Sequence, residues 1–279
     1  MKFRFLFAPL ILFFILNFNL VDSVAASITD HGSTFIRFAW ESDSPVVDKI
    51  QTHQPDSTVK TRVFPYVVRT ADGKCDITID TSAAPELTDW AKNKLAPVLA
   101  EWYPKIVVLL PSSEYTPPTR YSVTILPMDG VAYTSGTSVF ASSKWCAGQM
   151  NGEAVGSLVH ETVHVVQQYH VGNVPGWLVE GMADYVRWFK YEPQSHGADI
   201  VWMRRLGRDF SPRYNDSYRV SANFLNWVTE KYDSNIVTEV NAVLRQGNYT
   251  DDFWKQHTGN TLQELGKLWS DGISAQLHN

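Results

Sequence analysis

The sequence predicts an α+β fold, with an N-terminal mixed β-sheet carrying helices and a mainly helical C-terminal half. Two observations predict it. Runs of β-branched and aromatic residues separated by turn residues are confined to residues 27 to about 150. From about Glu153 onward, apolar residues recur at helical spacing instead. Strands first and helices afterwards favour α+β over a doubly wound sheet, in which the two would alternate. No internal repeat or low-complexity linker breaks the chain, so residues 27–279 read as one domain.

Residues 1–26 read as a signal peptide. Lys2 and Arg4 open it, residues 5–20 are apolar apart from Asn17 and Asn19, and Val24-Ala25-Ala26 offers small residues for cleavage. Pro9 and the two asparagines break the stretch short of the ~20 apolar residues that a membrane span needs. The expected product is a secreted, extracellular protein with no membrane partner after cleavage. Strands are expected at 33–40, 58–69, 76–80 and 121–126. Between them, residues 85–102 repeat Leu87, Trp90, Leu95 and Leu99 as a helix does, with a kink expected at Pro97. Residues 130–140 read either as a plain hairpin or as an exposed edge strand able to pair with an extended peptide. Helices are expected at 153–171, 175–189, 217–232, 236–245 and 262–276. Thr261 and Glu264 have capping-box spacing for the last of these.

Cys75 and Cys146 are the two cysteines. An exported chain permits a disulfide between them, which would close a long loop and stabilise the fold by about 4 kcal/mol. The alternative is two separate buried thiols. Asn215-Asp216-Ser217 and Asn248-Tyr249-Thr250 are glycosylation sequons. The net charge is −5 and no basic run appears, which argues against a nucleic-acid partner.

The chemistry gathers on His160-Glu161-Thr162-Val163-His164. Histidines four apart on a helix lie one above the other and can offer two imidazoles to one metal. This is the H-E-x-x-H arrangement of zinc peptidases. Zinc lowers the pKa of its water toward ~7, and Glu161 is placed to act as the general base on that water. On a helical wheel, Val155, Leu158, Val159, Thr162, Val163, Val166 and Tyr169 form the core stripe. His160, Glu161 and His164 fall opposite it.

Glu180 and Asp184 are again four apart, on the next expected helix, which Asn173 can cap and Pro175 can start. That spacing suits a third ligand, Glu180, followed by a carboxylate that accepts the N–H of a ligating histidine, Asp184. Read alone, the pair is also an ordinary acidic stripe. His170 competes with Glu180, because it lies six residues after His164 as in H-E-x-x-H-x-x-G-x-x-H sites. The glycine of that pattern is replaced by Gln167, which has no special tolerance of positive φ. The helix is therefore expected to run on through His170 and turn its ring away from the metal. Glu180 is the expected third ligand.

At this point the residues resemble a known family, the plant basic secretory proteins, also described as peptidases of plants and bacteria. The resemblance rests on V-H-E-T-V-H-V-V-Q, P-G-W-L-V-E-G-M-A-D-Y-V-R, S-Y-R-V-S-A-N-F-L-N-W and D-D-F-W-K-Q-H-T-G-N-T. Residues 102–105 and 130–136 are similar too. It implies a secreted protein of zincin-like fold with a zinc peptidase site, often with a role in plant defence. By position, His160, Glu161 and His164 match the family's metal motif, and Glu180 and Asp184 match its E-G-x-A-D-Y run. Tyr218 matches an aromatic position facing the site, where a phenol would donate to the oxyanion; otherwise it is a core tyrosine at a helix start. The chain departs from the family in being acidic, in carrying His170, and in its first forty residues after the leader.

The expected function is that of a gluzincin-like zinc metallopeptidase acting on peptide or protein substrates. The competing expectations are a secreted defence or binding protein with a vestigial site, and a zinc hydrolase acting on other amides.

Overall fold

The structure is a computed structural model that describes residues 62–278 apart from 170, 171, 173 and 208. The expected leader, the strand at 33–40 and the first residues of that at 58–69 lie outside the described residues, as do His170 and Asn173. The described chain opens with β1 (Tyr66–Arg69) and β2 (Asp76–Asp80). A 3-10 turn, Pro85–Leu87, then leads through α1 (Thr88–Trp90) and a π-type segment, Ala91–Leu95, into α2 (Ala96–Leu109). The kink expected at Pro97 takes this form. Proline has no N–H to give to the carbonyl four residues back, and the helix widens by a residue just before it.

β3 (Arg120–Leu126), β4 (Ala132–Ser135) and β5 (Ser138–Ser142) complete a five-stranded sheet in the order β1-β2-β3-β5-β4. The three central strands are parallel, and β1 and β4 run antiparallel at the edges. The sheet is therefore mixed, as expected. Residues 130–140 form a hairpin, β4 and β5 joined by two residues, and β4 is an edge strand among the described residues. Gly136 supplies the positive φ, 58°, that the first position of this tight turn requires.

One face of the sheet is apolar. Ile77, Ile79, Tyr121, Val123, Ile125, Val139 and Ala141 are all buried on it, each buried isoleucine or valine contributing about 1.5–3 kcal/mol. Helix α4 (Ala154–Gln167) packs on β4 and β5, and α2 packs beside it and reaches β1. Between β5 and α4 lies a short helix, α3 (Ser143–Gly148).

The helical half continues with α5 (Gly176–Tyr185), a π-type segment at Val186–Tyr191, and the short α6 (Ile200–Met203). It ends with α7 (Tyr218–Lys231), α8 (Ile236–Arg245), α9 (Asp252–Thr258) and α10 (Leu262–His278). The capping box forms: Thr261 N donates to Glu264 Oε2 at 2.8 Å, and Glu264 N donates to Thr261 Oγ1 at 3.2 Å. No described helix is long and apolar enough to cross a membrane.

Two expectations are corrected. Cys75 and Cys146 are free, separately buried thiols and form no disulfide. Cys75 precedes the start of β2 and Cys146 follows the end of β5, and both strands run the same way through β3. The sheet thus separates them by about 20 Å along the strands, at ~3.3 Å per residue, where a disulfide needs Cα atoms within about 7 Å. Burial pushes both thiols up to about 11. The second correction concerns α4, which stops at Gln167 instead of running through residue 170. Gln168 takes the left-handed conformation, φ 45°.

Candidate metal centre

Helix α4 is buried on almost every side, so its two faces are not core and solvent, as an isolated wheel implies. The face opposite the apolar stripe looks at α5 and the β4 edge. The end of α4 is set from outside. Arg245 of α8 donates to the Val166 and Gln167 carbonyls at 3.0 and 3.3 Å, and the Tyr115 hydroxyl donates to the Val166 carbonyl. These bonds satisfy carbonyls that the helix leaves open and offset the ~1–2 kcal/mol of a left-handed residue. The facing helix α5 starts after Pro175, which occupies its N-cap. Gly181 lets α5 sit tight against α7, since a Cβ there would lie 2.7 Å from the Ser221 Cβ. That contact holds Glu180, its neighbour, against α4.

Three ligand atoms converge between these helices. His160 Nε2 lies 3.1 Å from His164 Nε2 and 3.2 Å from Glu180 Oε2, and His164 Nε2 lies 3.5 Å from the same oxygen. The far sides of both rings are engaged. His160 Nδ1 is 2.7 Å from Asp184 Oδ1, and His164 Nδ1 is 2.7 Å from Gln167 Oε1. A carboxylate only accepts, so His160 donates from Nδ1. Gln167 Nε2 donates to the Val179 carbonyl at 2.9 Å, which turns its oxygen toward His164, and that ring donates from Nδ1 as well. With Nδ1 donating outward on both rings, Nε2 is the atom that each imidazole turns inward, beside a carboxylate oxygen. Three ligand atoms gathered this closely could hold one metal ion between them. A tetrahedral zinc with bonds of about 2.0–2.1 Å has ligand–ligand edges of about 3.3 Å, and the three separations here match it. The residues present fit such an ion.

The electrostatics agree. Burial disfavours charge on His160, but Asp184 and Glu180 outweigh it and hold the ring up to about 10. His164 is raised in spite of its own burial and of His160, chiefly by its hydrogen bond to Glu180. Burial pushes Glu180 up, yet the two imidazoles hold it well below the usual carboxylate range. The site attracts positive charge. Elsewhere, Asp233, Glu239 and His257 form a second, more exposed acidic group, in which His257 Nδ1 and Glu239 Oε2 already pair at 2.8 Å.

A family profile described as "Peptidase of plants and bacteria" matches residues 80–271. The chain belongs to that family. The resemblance carried by the four motifs is thereby borne out. Among solved structures, the chain is similar to a mutant two-domain M1 zinc metallopeptidase bound to L-tryptophan, with 14% identity and a TM-score of 0.51 over 74% of this chain and 50% of that one. A mutant of a two-domain M1 zinc metallopeptidase bound to L-arginine gives 15% identity and a TM-score of 0.39 over 77% and 50%. At such identity the first likeness speaks for the fold alone. The chain spans about half the length of these structures. No curated protein matches it by sequence.

In this member of the peptidase family, the structure brings together most of the residues singled out from sequence. His160, His164 and Glu180 meet, and Asp184 touches His160. Glu161 follows His160 on α4 and is 7% exposed. Tyr218, at the start of α7, stacks 6.0 Å from the His160 ring and is 44% exposed, so it lies at the surface beside the site and not in the core. Burial, reinforced by Glu180, Glu161 and Asp184, pushes its phenol up to about 12, so it stays a donor at neutral pH. Two partners were missed. Gln167 was read only as the absence of a glycine, although its place three residues after His164 puts it on the same helical face. Thr134, on β4, donates to Glu161 Oε2 at 2.7 Å and carried no local signal.

Proposed function

We propose that the chain is a secreted, zinc-dependent metallopeptidase with His160, His164 and Glu180 as ligands, Glu161 as general base and residues 27–279 as one domain. Secretion rests on the leader-like residues 1–26. The observation that carries the reading is the convergence of the three ligand atoms, each imidazole oriented by a partner of its own. Two imidazoles and one carboxylate suit zinc, with a position left open for chemistry. When bound, zinc lowers the pKa of water toward ~7 and polarises the peptide carbonyl.

The chain's own residues do the rest. The edge of β4, which pairs only with β5 among the described residues, offers main-chain groups to an extended peptide. Glu161 takes a proton from water as the water oxygen bonds to the scissile carbonyl carbon. The carbonyl oxygen gains negative charge, and the Tyr218 hydroxyl donates a hydrogen bond to it. Glu161 then passes its proton to the amide nitrogen as the C–N bond breaks, so one water is divided between the two products. Tyr218→Phe should lower kcat at least ~10-fold with little change in melting temperature. Equal kcat in that variant removes the role.

The reading is tested by peptide turnover before and after chelation. Turnover should vanish with chelator and return with added zinc. Turnover indifferent to chelator rejects it, and a zinc-loaded chain that cleaves no peptide points to the binding-protein alternative.

A further inference from the structure

Thr134 has one hydroxyl proton and two acceptors for it, both on Glu161. Its Oγ1 lies 2.7 Å from Oε2 and 3.0 Å from the main-chain oxygen. Neither an ionised carboxylate nor a carbonyl donates, so Thr134 does. Along β4 the exposed residues are Tyr133 and Ser135, and the alternation of the strand sends Thr134 toward α4. Among the described residues, Thr134 is the one hydrogen-bond donor to the Glu161 carboxylate. A terminal carboxylate torsion is otherwise broad. A hydroxyl that spans a residue's own carbonyl and its carboxylate ties the side chain to the helix backbone.

We propose that Thr134 is the positioning residue of the general base. Its proton occupies Oε2 and leaves Oε1 as the atom that takes the proton when the O–H bond of the attacking water breaks. The same oxygen later releases that proton to the departing amine. The assignment rests on reading Glu161 as the base. It also links the strand that would hold a peptide to the group that activates water, since both lie on β4 or are held by it.

The test compares Thr134→Val, which keeps the shape and loses the hydroxyl, with Thr134→Ser, which keeps the hydroxyl. Thr134→Val should lose ~10–100-fold in kcat, the scale of an ångström of misplacement, with KM and zinc content unchanged. Thr134→Ser should recover kcat to within about threefold of wild type. High-resolution crystal structures give a readout apart from activity: one Glu161 rotamer against Thr134 in the wild type, and a dispersed carboxylate in Thr134→Val. Wild-type kcat in Thr134→Val, beside an inactive Glu161→Gln, overturns the proposal and leaves Glu161 as the base. A loss that serine does not rescue, or that comes with lost zinc, assigns Thr134 a structural role and also overturns it. An active Glu161→Gln removes the base, and the Thr134 assignment with it.

Discussion

Glu161→Gln is expected to retain zinc at wild-type stoichiometry and to lose peptide hydrolysis by ~10²–10⁴-fold or more. The amide preserves the volume of the side chain and can still take a hydrogen bond from Thr134 through its oxygen. It cannot accept the proton of water. Glu161 is not one of the three converging ligand atoms, so the change spares them. The measurement pairs kcat with metal content on the same preparation. Undiminished turnover would remove Glu161 from the mechanism, and loss of metal with activity would recast it as a ligand.

Glu180→Ala is expected to weaken zinc binding by more than the ~10–100-fold that the loss of an orienting partner costs, because it removes a ligand itself. Two imidazoles then remain, 3.1 Å apart at Nε2, without the carboxylate that balances the ion. His170→Ala should leave affinity within about threefold of wild type on the same reasoning. Competition titration with a zinc chelator of known affinity reads both. If His170→Ala loses zinc while Glu180→Ala keeps it, the third ligand has been misassigned.

What the sequence made legible follows from periodicity. Four-residue spacing fixes the geometry of His160 with His164, and of Glu180 with Asp184, whatever the rest of the fold does. That the two helices face each other is tertiary, and in the sequence it was suggested only indirectly, by the ligand-like spacing of Glu180 and Asp184 and by the resemblance to a family pattern. The parallel strands β2, β3 and β5 were partly visible as apolar alternation, whereas their order and direction were not. The end of α4 was misread because the rule applied was local. No glycine marks it, and Gln168 turns left-handed since Arg245 and Tyr115, remote in sequence, take the open carbonyls. The disulfide failed for a related reason. Cysteine count says nothing about which end of a sheet each thiol occupies. Thr134 was unreadable because the contact spans 27 residues and two kinds of element. Gln167 could have been found, for it shares a helical face with His164.

The central claim is that three oriented donors hold one zinc ion per chain. Metal content by mass spectrometry, on protein purified without chelator, tests it most directly. The account predicts one zinc per chain, lost on exhaustive chelation and regained on addition of zinc. A chain that arrives free of metal and takes up no added zinc contradicts it.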